Sequence, residues 1–133
     1  MIGLDTNVIV RYITLDDPKQ TPIAVKLIES LSIDEPGFIS LVVFAELAWV
    51  LEISYRFDKT AILRAFDGLL RSKELVIEQA GNTAQAVERF RTGNTGFADY
   101  LIERGGHAAG CIHTVTFDQK AANSAGMRLL KVT

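Results

Sequence analysis

Four acidic residues lie in apolar stretches at widely separated points of the sequence. A carboxylate among core-forming residues is costly unless it is paired or bound to a cation. Four such residues suggest a shared ligand, and hard carboxylate oxygens suit Mg²⁺ or Mn²⁺. We therefore predict a divalent metal site built from Asp5, Glu46, Asp99 and Asp118.

Each acid also has a structural interpretation when it is considered alone. Asp5 could cap the turn that follows it, and Asp118 could cap a short helix that begins at Gln119. Asp99 lies near a helix start, where it could interact with the helix dipole. Glu46 has the weakest alternative, because it lies mid-helix among apolar residues where we expect neither capping nor solvent exposure. The four acids together therefore favour the metal site.

The hydrophobic pattern predicts short strands that alternate with helices. Strands are predicted over residues 1–4, 38–40, 75–78, 112–117 and 127–132, and the first is expected to be buried. A turn or short helix is predicted over residues 6–15, and helices over residues 18–31, 41–54, 59–72, 83–91, 97–109 and 118–125. This alternation implies parallel strands with helices on both faces of the sheet. The length of 133 residues fits a single α/β domain.

This topology would place the acids at one edge of the sheet. Asp5 and Asp118 each follow a strand directly, and Glu46 lies about two turns into a helix that follows another strand. Asp99 lies in the first turn of a helix that leads back to a strand, so its N-terminus should lie at the carboxyl ends of the strands. Open α/β sheets bind their ligands at that edge.

Composition narrows the classes of protein that this chain could represent. The net charge of −2 gives no support for nucleic-acid binding by bulk attraction. No apolar run approaches the roughly 20 residues that span a bilayer, and the start of the chain lacks the basic residues of a signal peptide. Cys111 is the single cysteine, which excludes an intrachain disulfide. We expect a cytoplasmic protein without membrane association, with Cys111 and Trp49 in its core and Glu103 on its surface.

The sequence around the four acids resembles the PIN-domain nucleases, and the VapC-type toxin ribonucleases among them. The matching features follow the order of the chain and cover most of it. They are Leu4-Asp5-Thr6-Asn7 after the first strand, Phe44-Ala45-Glu46 on a helix, Phe97-Ala98-Asp99 at a helix start and Thr114-Val115-Thr116-Phe117-Asp118 near the end.

The resemblance implies a PIN-like three-layer sandwich over residues 1–133, with a central parallel sheet of strand order 3-2-1-4-5 and helices on both faces. It also implies RNA cleavage that depends on Mg²⁺ or Mn²⁺ and needs no Ser, Cys or His nucleophile. The resemblance implies that Asp5, Glu46 and Asp99 are metal ligands. It also implies that Asp118 lies beside them or contacts the metal through a water molecule. Thr6, Asn7 and Thr116 would support these ligands or bind water and phosphate.

The resemblance further implies a cognate antitoxin as a partner, which would lie on an apolar groove, and a homodimer. The helices predicted over residues 41–54 and 59–72 are apolar enough to form that groove. Arg91 precedes a glycine-rich loop that should lie above the acids, so it is the preferred candidate for a contact with substrate phosphate.

Other functions fit the sequence less well. A phosphatase of the haloacid dehalogenase type also begins with an acid after its first strand, but it needs a second Asp where this chain has Asn7. A receiver domain needs a central phospho-acceptor Asp, which has no good candidate here. The main alternative is a catalytically inactive PIN fold that binds RNA or protein, and the presence of all four acids disfavours it.

Overall fold

A computed structural model describes residues 1–132 of the chain. Short strands alternate with longer helices along it. The strands are β1 (Ile2–Gly3), β2 (Gly37–Ile39), β3 (Leu75–Ile77), β4 (Val115–Thr116) and β5 (Arg128–Leu129). The helices are α1 (Thr6–Thr14), α2 (Gln20–Glu29), α3 (Leu41–Ile53), α4 (Lys59–Arg71), α5 (Ala80–Thr92), α6 (Phe97–Ala108) and α7 (Gln119–Ala125). The described residues group into two compact units, the first from Met1 to Ala80 and the second from Gly81 onward.

The first unit contains a parallel three-stranded sheet with β2 between β1 and β3. Its core is formed by apolar side chains from β2 and from helices α3 and α4. Ile39, Phe44 and Phe66 are fully buried, and the two phenylalanine rings pack with centroids 5.0 Å apart. This packing fixes α3 and α4 against each other.

Several helices begin at a side chain that accepts hydrogen bonds from the first turn. The Ser40 hydroxyl accepts from the Val43 amide at 3.2 Å to begin α3, and Asp58 accepts from the Ala61 amide at 2.8 Å to begin α4. Such caps satisfy amide groups that have no partner inside the helix. Asp17 accepts from two amides in the turn before α2, so this helix begins two residues after the predicted position 18.

The second unit contains α5, α6 and α7 with a parallel pair of strands, β4 and β5. Phe90, Phe97 and Tyr100 form part of its core, and the rings of Phe90 and Phe97 lie 5.8 Å apart. Helix α7 ends at Gly126, whose φ of 78° lies in the left-handed region that glycine adopts without a steric penalty.

The predicted α/β class with parallel strands is confirmed. The strand order β3-β2-β1 of the first unit and the pairing of β4 with β5 agree with the two halves of the predicted order. The predicted position of β4 next to β1 in one sheet stays a prediction, as does the organisation of the chain as a single domain. Within residues 1–132, no helix combines the length and apolar character needed to cross a membrane.

The structure corrects several predictions of burial and strand length. The predicted strands over residues 112–117 and 127–132 shorten to β4 and β5, which have two residues each. Ile112 is 97% exposed and Cys111 is also exposed, so apolar character at this point does not indicate core. Trp49 is 62% exposed, and the residues of β1 are exposed rather than buried.

Candidate active site

Asp5 lies where β1 gives way to α1, and it begins that helix. Its backbone is extended, with φ of −78° and ψ of 158°, and its Oδ1 accepts a hydrogen bond from the Thr6 amide at 2.8 Å. The chain therefore presents this carboxylate at the carboxyl end of β1, as the sequence predicts. The capping interpretation is also correct, because the carboxylate contacts the first amide of α1.

Thr6 connects Asp5 to Glu46 in the first unit. Its amide donates to Asp5, and its hydroxyl donates to Glu46 Oε1 at 2.8 Å across the packed helices α1 and α3. The Thr6 residue is only 6% exposed, so its hydroxyl is held in a fixed place. This arrangement brings together Asp5, Thr6 and Glu46, and Asn7 follows in the first turn of α1 as an exposed residue.

Glu46 is exposed although it lies in an apolar helix. Its helical neighbours Phe44, Leu47 and Ala48 are buried, so Glu46 occupies the edge between the buried and the exposed sides of α3. Asp5 and Asp118 are exposed as well. The expectation that these acids are surrounded by core residues is therefore wrong, because an exposed carboxylate keeps its hydration and does not require a cation for stability.

Asp99 lies in the first turn of α6 in the second unit and is half-buried. The Thr95 hydroxyl donates to Asp99 Oδ2 at 2.5 Å. Gly96 at the start of α6 offers no side-chain acceptor, so the negative charge of Asp99 is the main group that complements this helix terminus. Thr95 was missed from the sequence, although a Thr four residues before a candidate acid is a usable signal.

Asp118 begins α7 and acts as its cap. Its Oδ1 accepts from the amides of Lys120 at 2.8 Å and Ala121 at 3.2 Å. The Asp118 amide in turn donates to the Thr116 hydroxyl at 3.0 Å, so Thr116 fixes the backbone that presents this carboxylate. The structure therefore gives Thr116 a supporting contact and gives Asp118 the capping contact that we considered as its alternative role.

Glu103 is not the surface residue that we expected. Its side chain is 15% exposed and lies between the guanidinium groups of Arg89 and Arg104. The hydrogen bond from Arg104, which lies 2.6 Å away, holds the pKa of Glu103 below its ordinary value of 4.5 despite partial desolvation. Arg89 also donates to the carbonyl of Ala125 at 3.0 Å and therefore links α5 to both α6 and α7.

Arg91 pairs with Glu88 one helical turn before it, with Arg91 Nη2 3.0 Å from Glu88 Oε1. This pair is partly exposed, and such pairs contribute little to stability. The role of Arg91 as a substrate contact stays a prediction.

The donor atoms suit a hard divalent cation. Within each unit the candidate metal ligands are carboxylates. Asp5 and Glu46 each use one carboxylate oxygen to accept a hydrogen bond from Thr6, which leaves the second oxygen of each for a cation. Among residues 1–132, no group of three or more histidine, cysteine or acidic side chains is arranged to hold a metal ion. The gathering of all four acids around one ion therefore stays a prediction.

The family model for the PIN domain matches residues 2–126. Among solved structures, the chain is similar to VapC20 of Mycobacterium tuberculosis, a toxin that cleaves the sarcin-ricin loop. That match covers 99% of this chain and 100% of VapC20, with 19% sequence identity and a TM-score of 0.46. No curated protein sequence matches the chain significantly.

Proposed function

Because the chain belongs to the PIN-domain family, we propose that it is an endoribonuclease that hydrolyses RNA phosphodiester bonds with Mg²⁺ or Mn²⁺. The family match over residues 2–126 carries this proposal. The contacts of Thr6 with Asp5 and Glu46 support it, because one residue at the carboxyl end of β1 binds both carboxylates. The proposal includes one domain over residues 1–133.

In this proposal Asp5, Glu46, Asp99 and Asp118 hold the metal. A bound divalent ion would polarise the phosphoryl oxygen and lower the pKa of a water nucleophile. The protein itself supplies charge and orientation. The Thr6 hydroxyl orients Glu46, the Thr95 hydroxyl orients Asp99, and Thr116 holds the backbone of Asp118.

The test replaces each acid by its amide, one at a time. In the structure every one of these acids accepts a hydrogen bond, and an amide oxygen can accept the same bond. Asp5→Asn, Glu46→Gln, Asp99→Asn and Asp118→Asn therefore remove the negative charge and keep the cap or the threonine contact. We expect all four variants to fold and to lose at least about 100-fold in cleavage of a pooled RNA substrate, as expected when metal ligation is impaired.

Asp34→Asn is the matched control, since Asp34 is an exposed acid in the turn before β2. It should cleave like the wild-type protein. Assays in Mg²⁺, in Mn²⁺ and in EDTA test the metal requirement, and cleavage that persists in EDTA would refute it. A wild-type protein that binds the RNA pool without cutting it in either metal would instead indicate the inactive RNA-binding module.

The proposal also makes this chain a VapC-type toxin that acts in the cytoplasm with a cognate antitoxin. A largely apolar cavity of about 280 Å³ in the first unit supports a docking site for the antitoxin. Its lining includes Ile9 and Ile13 of α1, Ile28 of α2 and Leu69 of α4. No residue of the helix predicted over 41–54 lines it, so this cavity supports only the α4 side of the predicted groove. A small reading frame for a DNA-binding protein next to this gene, whose product copurifies with the chain, is the expected result. Absence of such a neighbour would leave a nuclease that is not a toxin.

A homodimer completes the proposal. Val42, Trp49 and Ile53 are 69%, 62% and 56% exposed and lie at helical spacing along α3. An exposed apolar strip of this kind is typical of a surface that another protein covers. Light scattering coupled to gel filtration should give twice the chain mass of 14.6 kDa, and a monomer at all protein concentrations would contradict the dimer.

A further inference from the structure

A cavity of about 270 Å³ lies in the second unit, between the loop that joins α5 to α6 and the exposed side of α7. It is lined by Thr92, Gly93, Asn94, Lys120, Asn123 and Ser124. None of the four candidate metal ligands lines this cavity. Its lining is distinctive because it contains one cation, two amides and two hydroxyls but no carboxylate.

Two residues of the lining, Asn94 and Ser124, are joined through the buried hydroxyl of Tyr100, which lies outside the cavity. This hydroxyl accepts from the Asn94 amide at 2.9 Å and lies 2.5 Å from Ser124 Oγ, which itself accepts from the Asn94 amide at 2.7 Å. The loop and α7 are thus joined by hydrogen bonds. A Cβ at Gly93 would lie 1.7 Å from the Tyr100 hydroxyl, so this close approach requires glycine.

Lys120 and Asn123 supply hydrogen-bond donors to the cavity. The amide oxygen of Asn123 accepts from Gln119 at 3.1 Å, which leaves the Asn123 NH₂ group for a ligand. Lys120 is exposed and has no ion-pair partner among residues 1–132. An unpaired ammonium beside an amide donor, with no acidic residue in the lining, is complementary to an anion.

The chemistry of the lining also distinguishes a phosphate from a nucleobase. Proteins that bind unpaired bases usually stack them on aromatic side chains, and no aromatic residue lines this cavity. Contacts from lysine, asparagine and serine are typical of phosphate and sugar recognition, which positions the chain without reading its sequence. The lining therefore favours an RNA backbone phosphate.

The cavity is continuous in sequence with two of the candidate metal ligands. Asn94 precedes Thr95, which donates to Asp99, and Lys120 donates its own amide to Asp118. A strand of RNA that reaches these acids would pass this lining. Resting on the proposed nuclease function, we infer that the cavity formed by Asn94, Lys120 and Asn123 binds a backbone phosphate of single-stranded RNA beside the cleaved bond.

The test measures RNA binding separately from cleavage. A short mixed-sequence single-stranded RNA with a fluorescent label is titrated with the full chain in EDTA, and anisotropy gives the Kd at several salt concentrations. Each phosphate contact with single-stranded RNA contributes about 0.7 to the slope of log K against log salt. We expect Lys120→Gln to lower that slope by about 0.7 and to raise Kd about 5-fold at 0.1 M salt.

Asn123→Asp is a second variant, which tests the same cavity while Lys120 is kept. It exchanges a donor for a negative charge at an exposed position of α7, so it should weaken RNA binding at least as much while the protein stays folded. Lys26→Gln on α2 is the matched control, because Lys26 is also exposed but lies outside the cavity. Its Kd and salt slope should equal those of the wild-type chain.

The outcomes separate this inference from the proposed function. If the wild-type chain cleaves RNA and both cavity variants bind it with wild-type slope and Kd, the cavity is not a phosphate site, although the nuclease proposal stands. If the wild-type chain binds RNA without cleaving it and Lys120→Gln lowers the slope, the cavity stands and the nuclease proposal fails. Absence of RNA binding by the wild-type chain in EDTA would overturn the inference about the cavity, whereas the nuclease proposal is decided by the cleavage assay in Mg²⁺ and Mn²⁺.

Discussion

The contact between Thr6 and Glu46 offers a sharp test of how this protein orders its carboxylates. The Thr6→Val substitution removes the hydroxyl that donates to Glu46 Oε1 at 2.8 Å and keeps a branched side chain of similar shape. The amide bond from residue 6 to Asp5 is a backbone contact, so it persists. The change therefore releases one carboxylate and leaves the other in place.

The size of the effect follows from the exposure of the two partners. A hydrogen bond to a charged group contributes about 1.5–3 kcal/mol when it is lost in a buried place. Thr6 is 6% exposed, but Glu46 is exposed and water can replace the hydroxyl. The low end of the range applies, at about 1.5 kcal/mol, which corresponds to roughly a tenfold change in an equilibrium constant.

We expect Thr6→Val to require about tenfold more Mn²⁺ for half-maximal RNA cleavage, because Glu46 must be ordered when the metal binds. Cleavage rates over a Mn²⁺ titration provide the measurement. Thr6→Ser keeps the hydroxyl and should retain the wild-type midpoint, and Thr60→Val controls for the same change at an exposed position of α4. A Thr6→Val protein with the wild-type Mn²⁺ midpoint would refute the role given to this contact.

Two further predictions concern stability in the second unit. The Arg104 hydrogen bond holds the folded-state pKa of Glu103 below 4.5, so its contribution to stability is complete above that pH and is lost as the pH falls through the folded-state pKa. Urea unfolding across this range should show a weaker acid dependence for Glu103→Gln, and an unchanged dependence would contradict the assignment. Gly93→Ala places a Cβ 1.7 Å from the Tyr100 hydroxyl and should destabilise the protein by about 3 kcal/mol. Thermal melts measure this loss. In the same melts Gly81→Ala should not be destabilising, because a Cβ at that position meets no atom within 4 Å.

The starts of α3, α4 and α7 were predictable from the sequence because they depend on local chemistry, whereas α2 begins two residues later than predicted and α5 three residues earlier. Ser40, Asp58 and Asp118 each cap the helix that the hydrophobic pattern predicts, since a short polar side chain satisfies nearby amides whatever the rest of the chain does. The parallel direction of the strands followed from the alternation of elements, whereas their order within each unit followed only from the family resemblance. The candidate acids Asp5 and Asp118 were placed correctly at strand ends for the same reason.

Burial was less predictable, because it depends on which side of an element meets the core. Helix α3 is apolar on nearly all sides, so its sequence does not indicate that Phe44 is buried while Trp49 and Glu46 are exposed. Glu103 was wrongly placed on the surface because its partner Arg89 lies 14 residues earlier, on another helix. Such pairs are fixed by tertiary packing and leave no local pattern.

The exposure of Trp49 determines what intrinsic fluorescence can report about this protein. It is the sole tryptophan of the chain and is 62% exposed in the folded state, so its emission maximum should already lie close to that of an indole in water. Denaturation will shift the spectrum little, and unfolding must be followed by circular dichroism. A second molecule that covers α3 would move the emission to shorter wavelength, which makes this residue a natural optical sensor of association.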